Sequence, residues 1–533
     1  MGRQVLGFII GPGPNGLIAL IMSLSLRIVS AAAVAAVWLV AADVRRTIEI
    51  SFVATPPGGA AGGTISAADL KLTDNGKDQP IASLWKVTPG KIPSNLPPHT
   101  FSNRTGGETA QDVSVIFLDG VNTEWRNDTA GREETMRALQ QIKAEERVAI
   151  LVFGKTLRVF SDFSDSAAAR QAKVKEFGAA KEAAGPTYSD LVLPVSSTGR
   201  AEMYREQERL TSTYATLQSI AAMLKAAPGR KNLLWISGDF PLLLGRPEAG
   251  GRHPSDADAD FQRTAKIGYN KAADDLIRVL NMAGVAVYPV DARKVSLDPQ
   301  RRQSHVNSIT TTGAGEAGTI NDIMKHLAEQ TGGAVFSGGK ELGDDLRGAL
   351  DDAQNAYVLA FTPAKLAEDG ASHKLKLQAK GYQIRLRPVY YAPLPPAPPG
   401  DATARLASAL SAPLDVPEIG ITVRVEPDRA SEESLTISLE LDARDIQLVR
   451  QGEDWIGMIG VGIVQGNPAG EQFGRQLQSG GFTIHGPDYQ KAMQTGNGIH
   501  FDFKVKRDPK ATFIKFGIID QKSPKSGSLS VPL

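Results

Sequence analysis

The feature that most constrains this 533-residue chain is the alternation of short apolar runs with amphipathic segments between Asp112 and Phe361. VSVIFL (113–118), RVAILVF (147–153), NLLWIS (232–237) and VAVYPV (285–290) are continuous apolar runs, the pattern of strands buried on both faces. Helical segments separate them. Residues 129–144 place Met136, Leu139 and Ile142 on one side. Leu210, Tyr214, Leu217, Ile220 and Leu224 repeat at helical spacing until Pro228-Gly229. Further helices are expected over about 261–283, near 320–331 up to Gly332-Gly333, and near 343–354. AVF (334–336) and AYVLAF (356–361) complete the series of strands. Such alternation predicts an α/β domain with a mostly parallel, doubly wound sheet.

The flanks have a different texture. TIEISFVA (47–54) alternates and is β-branched, and Asp74-Asn75-Gly76 is a hairpin signal inside 66–87, so 43–98 is expected as a small N-terminal β unit. HKLKLQAK and QIRLRPVYY (373–391) alternate on either side of Gly381, a hairpin expected to attach to the main sheet, which closes the α/β domain at 110–392. PLPPAPPG opens a stiff Pro/Ala-rich linker, 393–414. Residues 415–533 carry period-two runs such as IGITVRVEP and SLTISLELDA, expected as an all-β, sandwich-like domain.

Lys and Arg number 59 against 58 Asp and Glu, a balance that argues against a nucleic-acid binder held by a broad basic field. The chain has no cysteine, so thiolate metal sites, disulfides and cysteine nucleophiles are excluded. Residues 1–42 contain Arg3 and Arg27 and no acid, and Ile28–Ala42 is a 15-residue apolar run ending in small residues. That is a signal-peptide pattern with cleavage after Ala42 and a true start at Met22. The alternative is a retained anchor over Gly16–Ala42, though about 20 residues are needed to span a bilayer. Either reading places the rest of the chain outside the cytoplasm, in the periplasm, at the outer surface or secreted.

Open α/β sheets bind ligands beyond the carboxyl ends of their strands, at the switch in strand order. Asp119 follows the first strand and Asp239 follows NLLWIS, with Asn122, Thr123 and Ser237 close in sequence. Hard oxygen donors of this kind suit magnesium or manganese. Asp119–Thr123, PGRKNLLWISG (228–238), AVYPVDAR (286–293), LAEQTGGAVF (327–336) and YVLAFTP (357–363) resemble the von Willebrand factor type A-related proteins abundant in Acidobacteria. The resemblance covers about residues 47–392, with SAADLKLTDNGKDQPI as the short β segment before the domain and a weaker echo in the final SGSLSVPL.

The resemblance implies a Rossmann-like type A domain used in adhesion or complex assembly, often through a metal-ion-dependent adhesion site. That motif is Asp-x-Ser-x-Ser with a distant Thr and a distant Asp. Asp119, Val121 and Thr123 occupy its first three positions, Thr187 is the candidate distant Thr and Asp239 the distant Asp. Asn122 is near but out of register, and Val121 cannot ligate a metal, so the site is expected to be degenerate, its aspartates capping loops instead. Asp291 is expected to order its own loop or to pair with Arg293. The seven histidines show no zinc spacing, and neither a phosphate-binding loop nor a nucleophile elbow is present.

The function expected is an exported interaction module with an unidentified protein partner at the cell envelope, no catalytic residues and no nucleic-acid ligand. The alternatives are a structural envelope component without metal and, behind it, a metal-dependent hydrolase using Asp119 and Asp239.

Overall fold

Strands buried on both faces need flanking layers, and the computed structural model shows how the chain supplies them. It describes residues 47–56, 65–89, 96–103, 111–123, 129–154, 157–163, 165–179, 199–225, 227, 229–238, 271–292, 320–337, 340–363, 369–392, 400–412, 414–428, 431–467, 471–493 and 498–533. The expected signal or anchor, the distant Thr187 and Asp239, and Arg293 lie outside them.

Among the described residues two compact units form: one within 47–94 and 105–395, the other within 95–104 and 396–533. The larger unit holds the parallel sheet. Its main strands are β1 (Gln111–Asp119), β2 (Val148–Phe153), β3 (Leu157–Ser161), β4 (Arg230–Ser237) and β5 (Val285–Asp291), and the short Thr88–Pro89 pairs in parallel with the start of β1. The order across the sheet is β5-β4-β1-β2-β3. All neighbours pair in parallel except β3, which closes its edge antiparallel to β2. The chain therefore winds outward from β1 in one direction and from β4 in the other, which puts the switch point between these two strands.

Helices α1 (Thr129–Gln140), α2 (Ala167–Ala179), α3 (Gly199–Lys225), α4 (271–283), α5 (Ile320–Thr331) and α6 (Leu342–Gln354) connect the strands. Ile116, Leu118, Ile150, Leu234, Ile236 and Tyr288 pack on one sheet face against Leu139, Leu346 and Leu350 of α1 and α6. Residues 334–336 contribute a single parallel bridge, Phe336 to Val290, rather than a strand.

The last apolar run departs from expectation. Ala356–Phe361 is not a parallel strand of this sheet. It lies antiparallel between Ile48–Thr55 and Ile81–Lys86. The hairpin at 373–391 does not join the parallel sheet either: Ser372–Ala379 pairs with Leu70–Asp74, and Gln383–Leu386 pairs with Ile48–Thr55. Two small antiparallel sheets result, sharing a core of Ile50, Phe52, Leu72, Leu359, Phe361, Leu377 and Tyr390. The N-terminal β segment is thus no unit of its own. Its strands have unpaired edges and one apolar face, and the strands of 356–391 satisfy both.

The smaller unit is antiparallel. One sheet runs Ile499–Lys506, Ser431–Leu441, Ile421–Asp428, Thr100–Ser102; the other is built on Asp454–Gly466, Gln472–Ile484, Phe513–Asp520 and Ser526–Pro532. Val423, Ile437 and Phe501 from the first share one core with Ile463, Phe482 and Phe516 from the second. Part of the expected linker belongs here. Ala402–Ser411 is a helix capped by the Asp401 carboxylate, with Leu406 and Leu410 packed on Val464 and Ile519. Gly462 and Gly517 let it approach, since a Cβ on either would meet Leu410 at under 3 Å.

Asn103 stitches the unit's entry. Its Nδ2 donates to the carbonyls of Val416, Ile419 and Ser528 at 2.9–3.2 Å, and its Oδ1 accepts from Ile421 N at 2.7 Å. Asn103→Ala is expected to destabilise this unit by about 2–4 kcal/mol, because buried carbonyls and an amide lose their partner together. Denaturant unfolding, followed by the fluorescence of Trp455, checks this; a loss under about 1 kcal/mol would count against the stitching role.

Candidate switch-point site

β1 ends at Asp119, the last residue of the strand rather than the first of the loop. Gly120 N donates back to Phe153 O on β2 at 3.0 Å, and the chain turns. Asp119 is fully buried. Its Oδ1 accepts from Val121 N at 3.2 Å and Asn122 N at 3.1 Å, a local turn of the kind Asp favours. Its Oδ2 accepts from Asn122 Nδ2 at 2.6 Å, Trp235 Nε1 at 2.9 Å and Ser237 Oγ at 3.2 Å. Trp235 and Ser237 are two residues apart on β4, so both face the side of the sheet that Asp119 faces.

A second layer fixes Asn122. Its Nδ2 also donates to Thr213 Oγ1 at 2.9 Å, and its Oδ1 accepts from Arg209 Nη1 at 2.8 Å. Arg209 and Thr213 are four apart on α3 and therefore share a helix face. Thr123 Oγ1 accepts from Gly238 N at 2.9 Å, which ties the loop after β1 to the loop after β4.

The chemistry of this arrangement follows from a donor count. A carboxylate offers about four lone-pair sites, and five protein donors already point at this one. Burial pushes the Asp119 carboxyl above its ordinary value, and the hydrogen bonds from Asn122, Trp235 and Ser237 oppose that shift only in part. Val121, at the position of the first hydroxyl ligand, is half-buried and brings only carbon.

The structure brings Asp119, Asn122, Thr123 and Ser237 together. Trp235, Arg209 and Thr213 belong to the same cluster without a sequence motif to mark them. The one available signal was on α3, where polar Arg209 and Thr213 flank the apolar stripe of Leu210 and Tyr214. Asp291 ends β5 and is buried beside the same edge, where Ala292 N donates to Ser237 O at 2.9 Å. Among the described residues no group of three or more His, Asp or Glu is placed to hold a metal ion.

No protein-family model matches the chain, and no curated protein matches it. Solved structures similar to it include the human COPII-coat protein Sec24c, at 12% identity over 53% of this chain and 44% of that one, with a TM-score of 0.26. The minor pilin PilB from Streptococcus sanguinis matches at 9% identity over 47% of this chain and 62% of that one, with a TM-score of 0.24. The ArnB paralog VWA2 from Sulfolobus acidocaldarius matches at 10% identity over 61% of this chain and 76% of that one, with a TM-score of 0.21. The chain spans less than two thirds of the first two. At TM-scores this low, none of these likenesses decides what the chain does.

Proposed function

We propose that the larger unit is a von Willebrand type A-like domain serving as an exported protein-interaction module, with a switch-point edge that has been closed by its own side chains. The observation that carries this reading is the saturation of Asp119. An adhesion-type metal site needs carboxylate and hydroxyl oxygens turned outward toward an ion. Here the one aspartate of the leading motif is fully buried and spent on five protein donors. Valine stands where a hydroxyl is needed. The strand order, with its single antiparallel edge strand, supports the type A reading of the fold.

The same burial weighs against a hydrolase, since a carboxylate acting as base or metal ligand has to reach a substrate or its water. Recognition would then fall to loop surfaces around the sheet's carboxyl edge, the region where binding residues concentrate in such folds. Export rests on Arg27 and the apolar run that follows it. No helix among the described residues is long and apolar enough to cross a membrane, and any membrane contact is assigned to the N-terminal segment. Fractionation that recovered the chain in the cytosol with Met1 intact would contradict export.

The closed-edge reading has a direct test. Millimolar magnesium or manganese is expected to leave the melting temperature where an equal ionic strength of sodium chloride leaves it. An ion binding the folded state alone at one hundred times its dissociation constant would add about 2.7 kcal/mol. A metal-specific rise that Asp119→Asn abolished would show that the edge binds a divalent ion. Partner capture on the immobilised protein is likewise expected to be indifferent to chelator.

A further inference from the structure

The opposite end of the parallel sheet gathers three cations, Arg230, Lys231 and Arg387, with Glu49 as the acid that Lys231 senses. Arg230 and Lys231 open β4, and Arg387 follows the strand Gln383–Leu386. Arg230 is buried and spends itself on neutral acceptors: Asn232 Oδ1 at 2.9 Å, Tyr288 Oη at 2.6 Å, Ser51 Oγ at 3.2 Å and Gly332 O at 3.4 Å. The nearby acid Asp352 is taken by Arg385. Arg387 donates to two carbonyls, Asn281 O at 2.7 Å and Glu49 O at 3.4 Å, while its buried Nε has no acceptor. Lys231 Nζ has no hydrogen-bond or ion-pair partner among the described residues. Burying cations without a direct ion pair is costly, so natural folds pair them or keep them for a ligand.

Arg230 and Lys231 are consecutive in a strand and face opposite sides of the sheet. Lys231 therefore meets Arg387 rather than the Arg230 network. The two converge on Gly284, the turn between α4 and β5. A Cβ on Gly284 would stand 3.5 Å from Lys231 Nζ and 3.5 Å from Arg387 Nη1, so the cationic nitrogens lie within twice that distance of each other. An oxyanion bonded to both at about 2.7–2.9 Å spans such a gap. Lys231, Gly284 and Arg387 are all half-buried, so each keeps part of its surface in contact with solvent.

We propose that Lys231, Arg387 and the space left by Gly284 form a binding site for a small phosphate-class oxyanion, at the end of the sheet opposite Asp119. Lys231 supplies three N–H donors with no other claim on them, and Arg387 supplies those left after its two carbonyl contacts. Arg230, on the far face, adds to the local potential.

The site has a built-in pH dependence. Burial first, and then the Arg387 charge, pull the Lys231 pKa down to about 8, against a smaller upward pull from Glu49. The ammonium is therefore present at neutral pH and lost as pH rises through about 8. Binding is expected to weaken over that interval even though phosphate itself gains negative charge.

The test uses the full chain and two probes, inorganic phosphate and methyl phosphate, with sodium chloride at matched ionic strength. Thermal unfolding at pH 7 is expected to show a saturable rise of about 2–6 °C with phosphate that chloride does not reproduce. Lys231→Gln is expected to remove that rise, and Lys231→Arg to keep most of it. An equal rise with methyl phosphate would extend the site to phosphomonoesters, and a rise with inorganic phosphate alone would confine it to the free ion; either supports the site. If Lys231→Gln melts far below wild type, calorimetric titration of the wild type at pH 7 and 9 replaces it, with affinity expected to fall at least five-fold at the higher pH. A wild-type response to phosphate no larger than that to chloride, or one unchanged in folded Lys231→Gln, would overturn the proposal.

Discussion

Asp119→Ala is expected to lower the stability of the larger unit by about 3–5 kcal/mol with no divalent ion present. The expectation follows from what the substitution strands. Trp235 Nε1, Ser237 Oγ, Asn122 Nδ2 and the amides of Val121 and Asn122 all aim at the carboxylate, and the cluster is closed to water at Asp119 itself. A buried donor without an acceptor costs about 1–3 kcal/mol. Asn122 is partly spared, because Thr213 still accepts from its Nδ2 and Arg209 still donates to its Oδ1. Asp119→Asn is expected to recover little, since its amide would turn one acceptor into a donor facing other donors. The melting temperature should fall by on the order of 10 °C, equally with and without chelator. A chelator-dependent loss would mean that an ion had been holding the loop. A loss below about 1 kcal/mol would mean that the five donors find water as easily as carboxylate.

The size of that loss was hidden in the sequence, although the position was not. FLDGVNT marks Asp119 as a strand-end carboxylate beside Asn122 and Thr123, and the structure does bring these residues together. What a linear motif omits is depth. From spacing alone Asp119 stands just past the strand, where an alanine would cost only loop hydrogen bonds; in the fold it closes the strand and is fully buried. Trp235 reads as one more apolar residue of NLLWIS, and only the parallel register of β4 on β1 puts its N–H on the carboxylate.

The fold divides in the same way. VSVIFL, NLLWIS and VAVYPV were legible as inner strands because a strand buried on both faces has no polar positions to spare. AYVLAF has the same continuous apolar character for the same reason, apolar layers on both its faces, but its neighbours on both edges are antiparallel. Composition reports burial, and burial does not reveal strand direction. LRVFS at 157–161 is an edge strand with one exposed and three half-buried residues, too weak a pattern to stand out. The helix at 402–411 was obscured by the Pro/Ala-rich stretch before it, and its Leu406–Leu410 spacing acquires meaning only against the glycines it packs on.

Gly333→Ala is expected to be more damaging still, at about 4 kcal/mol or beyond, and to act through space rather than through conformation. Helix α5 ends at Thr331, Gly332 takes a φ of +79°, and Gly333 N donates to Ala328 O at 2.9 Å. The chain then runs beside β5, held by Phe336 N to Pro289 O at 3.0 Å and by Thr331 Oγ1 accepting from Val287 N at 3.0 Å. A Cβ on Gly333 would lie 1.8 Å from Val287 O and 2.6 Å from Val287 C. Those are backbone atoms in the middle of a strand buried along its whole length, so no rotamer change relieves the overlap. Either the segment after α5 lifts off β5 or β5 shifts against β4, and both break hydrogen bonds in the sheet.

Gly381→Ala is the control that isolates this cause. Gly381 has a φ of +78° and nothing within 4 Å of its missing Cβ, so alanine there pays only the left-handed backbone strain, about 1–2 kcal/mol. Urea unfolding of the two variants side by side should separate them by at least about 2 kcal/mol. Equal losses would show that the close approach of Gly333 to Val287 is relieved by a small backbone movement, and that β5 tolerates a looser neighbour than its buried register implies.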